Sequence, residues 1–372
     1  MALVFVNTLV RKPGWARLPF PEVVTPFRTD ARRVVSTQDK PLVILRAAPH
    51  PVDRIFTPAA LALLHERFTV VEPDSEAALD RALPDAFAVV GQPDLPAERL
   101  TRAGELRAVL NVEGNFYPYV DYELCFERGI HVLNCGPAYA QAVAEYALGL
   151  ALDLARNISR EDRAFRAGRE RYVSDGNADA VLLRGSDVGL IGFGNLGRSL
   201  YPLLSPFRPT IRVYDPWLPP AVLREQGLVP ATLDETLARS RFVFVLATAT
   251  EESRHLLGER ELGLLSDGAR LVHVSRAPVV DYPALLARVA QGRLLAAIDV
   301  WPDEPVAPDD PARDLEGLVL SAHRAGGIPE AFRTIGDMVV DDLTLIARGL
   351  PPVRMQTAAP ELVHRYRNRP VT

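Results

Sequence analysis

The chain has 372 residues, more than one hydrophobic core usually organises, so two domains are expected. A formal net charge of -5 argues against nucleic acid or an anionic membrane as a partner. Cys125 and Cys135 are too few for a disulfide framework and lack zinc-ligand spacing, so no metal is expected and a reducing cytoplasm fits.

The start, MALVFVNTLVRKPG, lacks a long apolar core, and the most apolar stretch, AEYALGLALDLA, carries Glu145 and Asp153. Neither secretion nor membrane spanning is expected from those segments. Residues 1–41 are rich in Pro and Arg without periodicity and read as an arm. From there short apolar runs (PLVILRA, RFTVVE, AFAVVG, RAVLNV, GIHVLN) alternate with helical stretches such as PAALALLHER and DYELCFER, the rhythm of βαβ units. A long helical pattern is expected from Ala142 to about Ala167. A second series follows, with DVGLIG, TIRVYD, RFVFVLA, ARLVHVS, LLAAIDV and LVLSAH as strands, and it reads as a doubly wound parallel sheet. PEAFRTIGDMVVDDLTLIARG is then a helix whose apolar face needs a partner, expected on the first domain.

The segment VGLIGFGNLG places Gly192, Gly194 and Gly197 in a GxGxxG pattern directly after an apolar strand and at the opening of a helix, with Asn195 and Leu196 between the last two glycines. The first glycine permits a tight turn, the second lets backbone approach a pyrophosphate, and the third allows close helix packing, while helix N–H groups face the anion. The strand TIRVYD ends at Asp215, about 20 residues on, where a carboxylate can accept from both adenosine ribose hydroxyls. Its charge would repel a 2′-phosphate, and Pro216 and Trp217 offer no compensating cation, so NAD is expected over NADP.

In an open parallel sheet ligands sit beyond the carboxyl ends of the strands. ARLVHVS runs through Ser275 into Arg276, LLAAIDV presents Asp299 with Glu304 shortly after, and LVLSA delivers His323. Reducing a 2-oxo acid needs a cation to hold the carboxylate and polarise the carbonyl, and a proton donor for the developing alkoxide. Arg276 and His323 meet those needs; Glu304 beside the imidazole would stabilise its protonated form and fix the ring. Asp299 is expected to accept from the nicotinamide carboxamide. Each residue alone has a bland reading as a surface, capping or core group, and their convergence on successive strand ends behind a dinucleotide turn outweighs it.

These blocks resemble the D-isomer-specific 2-hydroxyacid dehydrogenase family, whose members include phosphoglycerate, glyoxylate and D-lactate dehydrogenases. The resemblance runs over about residues 42–350, on GFGNLGR, VSRAPVVD, GRLLAAIDVWPDEP and SAHRAGG. It implies an α/β fold of two Rossmann-like domains: a flavodoxin-like substrate domain over 42–147, completed by 328–372, and a doubly wound NAD-binding domain over 148–327. It also implies catalytic roles for Arg276, Glu304 and His323, and a homodimer. The family's glycine-rich loop, whose backbone N–H groups hold the substrate carboxylate, has its counterpart in NVEGNFYPYVD, so Glu113, Gly114 and Asn115 are expected at the substrate. Glu113, Asn115, Phe116, Tyr117 and Tyr119 stand where small residues are common, and Phe116 reads as packing. Further departures are Ala277 for glycine, Ser321-Ala322 where Thr-Pro is common, and Arg324 after the histidine. Arg324 or Arg54 is expected to meet a second anionic group on the substrate. The expected activity is hydride transfer between NAD and a small 2-hydroxy or 2-oxo acid. Alternatives are a relative oxidising another hydride donor such as phosphite, and an NAD-sensing regulatory protein like the family's corepressors; a formate oxidiser would carry glutamine in place of Glu304.

Overall fold

The computed structural model describes residues 40–363, so most of the expected arm and the end of the C-terminal tail lie outside the described residues. Apolar β-branched runs flanked by Pro, Asp and Gly form the strands. In the first sheet these are β1 (Leu42–Arg46), β2 (Thr69–Val71), β3 (Ala86–Gly91), β4 (Ala108–Asn111) and β5 (His131–Asn134). They pair in parallel in the order β2-β1-β3-β4-β5, the flavodoxin-like arrangement.

The second sheet contains β6 (Asp187–Ile191), β7 (Thr210–Tyr214), β8 (Val229–Pro230), β9 (Phe242–Val245), β10 (Ala269–His273), β11 (Leu294–Ile298) and β12 (Leu318–Leu320). Every pairing is parallel, in the order β8-β7-β6-β9-β10-β11-β12. β6 sits where the winding reverses, so the crevice at its carboxyl end is the natural place for a ligand. All residues of β9 and β10 are buried, as helices on both faces require.

The Gly136–Arg156 helix joins the two cores: Ala138 packs into the first, and Val143, Ala144, Ala147, Leu150, Ala151 and Leu154 into the second. The single long helix expected to reach about Ala167 is in fact broken. Asn157 adopts a left-handed conformation (φ 55°), and the Asp153 carboxylate takes the Ser159 N–H at 2.8 Å, so the chain restarts as a separate helix, Ile158–Arg166. A short polar side chain that captures backbone donors offers the chain an alternative to continuing the helical ladder. That second helix buries none of its residues.

The Pro329–Ala347 helix lays Phe332, Ile335, Met338, Val339 and Leu343 against Val43, Ile55 and Leu64 of the first core. The chain then adds β13 (Gln356–Thr357) antiparallel to β5, with Gln356 opposite Asn134. Neither β8 nor β13 was expected, since strands this short carry no periodicity.

Candidate active site

Gly192 closes β6 with φ +95°, and a Cβ there would lie 2.9 Å from the Ala247 N, so the turn accepts only glycine. A Cβ on Gly197 would meet the Gly192 carbonyl at 2.9 Å, which shows how closely the Asn195–Leu204 helix approaches the turn. Gly194, by contrast, faces open space. That is the hollow a pyrophosphate needs, with the first N–H groups of the helix aimed into it. Asp215 accepts from the Phe193 N–H at 2.8 Å through one oxygen and from the Trp217 N–H at 3.0 Å through the other. Each oxygen keeps a further accepting direction for a ribose hydroxyl. The open hollow at Gly194 and the spare accepting directions of Asp215 fit a dinucleotide.

Beyond β10, β11 and β12 the charged groups gather. His323 Nδ1 lies 2.8 and 3.1 Å from the two Glu304 oxygens, and Glu304 Oε1 also accepts from the Trp301 N–H at 3.1 Å. The imidazole is half exposed. Arg276 donates from Nη1 to the Ser275 carbonyl at 2.8 Å. With the Asn115 amide turned so that its oxygen faces the guanidinium, Arg276 Nη2 donates to it at 3.2 Å. This contact sets the loop after β4 against the end of β10, across the cleft between the sheets. The Ser275 hydroxyl is buried without a hydrogen-bond partner.

The loop itself is braced from within. Asn111 Nδ2 donates to the Asn115 carbonyl at 2.7 Å, and Asn111 Oδ1 accepts from the Glu113 N–H at 2.7 Å. Gly114 runs beside Tyr139 and Gly136, with a Cβ position 3.5 Å from the Tyr139 ring. Glu113 Oε1 stands 2.8 Å from His50 Nε2, and Phe332 meets His50 edge-on while the Arg54 guanidinium stacks 3.9 Å over its ring. Phe116 is buried against Tyr122, a packing residue. Tyr119 is partly buried with its hydroxyl enclosed and without a partner, and that burial pushes the phenol well up.

Asp299 is 1% exposed, and its carboxylate is committed to the histidine loop: Oδ1 accepts from the Arg324 N–H at 2.8 Å and the Ser321 hydroxyl, Oδ2 from the Ala325 N–H at 3.1 Å. Arg324 thus uses its backbone at the site, and its exposed side chain makes no hydrogen bond among the described residues. Sequence reasoning passed over several groups placed here, Gln356 first among them. Asn195 Nδ2 donates to Gln356 Oε1 at 2.9 Å, a bond from the dinucleotide turn to β13 of the other sheet. Tyr146 and His50 likewise reach the site from distant segments, and Trp301 from within the loop that carries Glu304. Only the position of Ser321 carried a signal, as a departure from Thr-Pro. Among the described residues, no group of His, Cys, Asp and Glu could hold a metal, and no helix is long and apolar enough to cross a membrane.

Residues 148–325 match the family model for the D-isomer specific 2-hydroxyacid dehydrogenase, NAD binding domain. A glyoxylate reductase from Korarchaeum cryptofilum is 30% identical over 275 residues, covering 72% of this chain and 81% of that one. A D-3-phosphoglycerate dehydrogenase from Archaeoglobus fulgidus is also 30% identical, and there the match spans only 50% of its length. Among solved structures, a phosphoglycerate oxidoreductase from Rhizobium etli superposes with a TM-score of 0.80 at 46% identity, covering 86% of this chain and 99% of that one. The chain belongs to the D-isomer-specific 2-hydroxyacid dehydrogenase family. Its fold is that of two Rossmann-like domains, and its cofactor is NAD.

Proposed function

We propose that the chain is an NAD-dependent D-2-hydroxyacid dehydrogenase acting on a small 2-hydroxy or 2-oxo acid, with residues 42–147 and 328–372 as the substrate domain and 148–327 as the NAD-binding domain. The reading rests on one observation: an imidazole paired to a carboxylate at 2.8 Å, at the carboxyl edge of the sheet that carries the dinucleotide turn. Asp215 would hold the ribose, the turn from Gly192 through Asn195 and Leu196 to Gly197 would hold the pyrophosphate, and Ser275 and Asp299 would lie on the nicotinamide side. Bound NAD supplies or takes up the hydride.

Everything else falls to the side chains. Arg276 binds the substrate carboxylate and polarises the adjacent carbonyl, and backbone N–H groups around Glu113, Gly114 and Asn115 share that carboxylate. Glu304 accepts from Nδ1–H of His323, which leaves Nε2 as the nitrogen that gives a proton to the developing alkoxide in reduction and removes it in oxidation. Arg54, stacked on Phe332 beside the His50–Glu113 pair, and Arg324, next to His323, are candidates to receive a second anionic group of the substrate. The buried, unpaired cysteines support a cytoplasmic setting, and the bare outer face of the Ile158–Arg166 helix supports a homodimer.

The test is to mix the protein with NADH and a panel of 2-oxo acids including glyoxylate and hydroxypyruvate, and follow absorbance. Turnover is expected, and His323→Gln should lower it on the order of a hundred- to ten-thousand-fold. NADH binding, followed by fluorescence, should survive that change. Cofactor binding with no turnover across the panel would overturn the enzyme reading in favour of an NAD-sensing regulator.

A further inference from the structure

His323 has φ +50°, the left-handed region that a residue with a Cβ seldom occupies and keeps only where its surroundings over-determine it. The surroundings do so on both sides. The His323 N–H donates to the Asp299 carbonyl at 2.8 Å, and the Asp299 carboxylate holds the next two N–H groups, those of Arg324 and Ala325. Two residues before the histidine, the Ser321 hydroxyl lies 2.5 Å from Asp299 Oδ1 and 2.7 Å from the Tyr146 hydroxyl. A serine has one proton to give. Since the ionised carboxylate can only accept, that proton goes to Asp299, and Tyr146 must donate to Ser321. The Ser321 carbonyl, in turn, accepts from Trp301 Nε1 at 2.6 Å, and the Trp301 N–H holds Glu304 Oε1. The bonds close on themselves, from Ser321 through Asp299 and the histidine loop to His323, and through Glu304 and Trp301 back to Ser321.

We propose that Ser321, fixed by Tyr146, is a positioning residue for the His323–Glu304 pair, a role that rests on the acid–base reading of His323. It touches neither substrate nor cofactor. Its hydroxyl keeps the Asp299 carboxylate turned toward the Arg324 and Ala325 N–H groups, which holds His323 in its strained conformation with Nε2 aimed at the substrate oxygen. Its carbonyl orients Trp301, whose N–H sets the carboxylate behind the ring. Tyr146 lies on the Gly136–Arg156 helix, which packs into both cores, so the acid–base pair is tied to the element that joins the two sheets.

The experiment uses the full chain with NADH and whichever of glyoxylate and hydroxypyruvate it reduces faster. Ser321→Ala should lower kcat on the order of ten- to a hundredfold, the scale of a small misplacement of a catalytic group. KM for the oxo acid and NADH affinity should stay within about twofold, because Arg276, Asp215 and the dinucleotide turn keep their contacts and Asp299 keeps its bonds to the Arg324 and Ala325 N–H groups. The solvent deuterium isotope effect on kcat should grow as proton transfer becomes slower. Ser321→Thr, which keeps the hydroxyl, should restore kcat, and Tyr146→Phe should lower it less than Ser321→Ala. A wild-type kcat in Ser321→Ala, a loss that Thr does not rescue, or a loss matched by equal weakening of NADH binding would each overturn the proposal. An inactive His323→Gln beside a fully active Ser321→Ala refutes the positioning role alone; an active His323→Gln refutes the acid–base reading and the positioning role with it.

Discussion

His273 ends β10 three residues before Arg276 and is 2% exposed. Burial pulls its pKa down from 6.5 to about 4, so the folded protein keeps it neutral where an unfolded chain would already bind a proton. Between those two values the unfolded state binds more protons. Stability is therefore lost as pH falls from about 6.5 towards 4, by roughly 3 kcal/mol in total for this group. His273→Asn should flatten the difference between urea-unfolding free energies at pH 7 and pH 5; an unchanged difference would remove this histidine from the acid sensitivity. A second prediction at this scale concerns Arg54 and Arg324. If Arg54 receives a distal anion, Arg54→Ala should lower kcat/KM for dianionic oxo acids about ten- to a hundredfold more than for monoanionic ones, the size of a charge-assisted contact. The same comparison with Arg324→Ala identifies which guanidinium is used, and an unchanged ratio in both retires the idea. The placement of Arg276, Glu304 and His323 at the strand ends was legible because a parallel sheet directs its loops to one edge. The bonds of Asp299 to Ser321, Arg324 and Ala325 were not, because they depend on how the chain turns back, and no local pattern encodes that.

At the scale of elements, close packing of the Pro329–Ala347 helix depends on Gly336. A Cβ there would lie 2.6 Å from the Ile55 carbonyl and 2.8 Å from the Phe56 ring. Gly336→Ala should cost about 1–3 kcal/mol through overpacking, read as a lower thermal midpoint. Gly149, inside the Gly136–Arg156 helix, has nothing within 4 Å of its Cβ position, and Gly149→Ala should stabilise by about 0.5–1 kcal/mol. Equal effects from the two substitutions would contradict the packing seen at Gly336. Long strands and helices were legible because their apolar period repeats over several residues, as in PAALALLHER, which is helical over Pro58–Arg67. The break at Asn157 was hidden because the apolar and polar residues around it still fit a helical period; the side-chain bond from Asp153 to Ser159 is what accompanies the break.

For the whole molecule, the notable surface feature is a run of exposed apolar side chains along one stretch of chain: Ile158 (58%), Phe165 (63%), Tyr172 (69%), Val173 (83%) and Leu182 (67%). Exposed apolar side chains that lie together on a surface favour association, and these are the residues on which the proposed homodimer would rest. Light scattering after size exclusion should report a dimer, and Phe165→Glu with Val173→Glu should shift it to the monomer while leaving the far-ultraviolet circular dichroism unchanged. A monomeric wild-type chain would sink that assignment.

What the amino-acid sequence determined alone was the fold class, the dinucleotide turn and the family. Each follows from short-range facts: a glycine where a turn needs φ near +95°, alternating apolar runs, and an acid at the end of the next strand. What only the tertiary structure decided was the company those residues keep. Gln356 against Asn195, His50 against Glu113, and Tyr146 and Trp301 against Ser321 are contacts between segments far apart in the chain, brought together when apolar burial closes the cores. Hydrogen bonds and ion pairs are short-ranged and directional, so such partnerships exist only after the hydrophobic effect has placed the backbone, and a linear order of residues does not contain them.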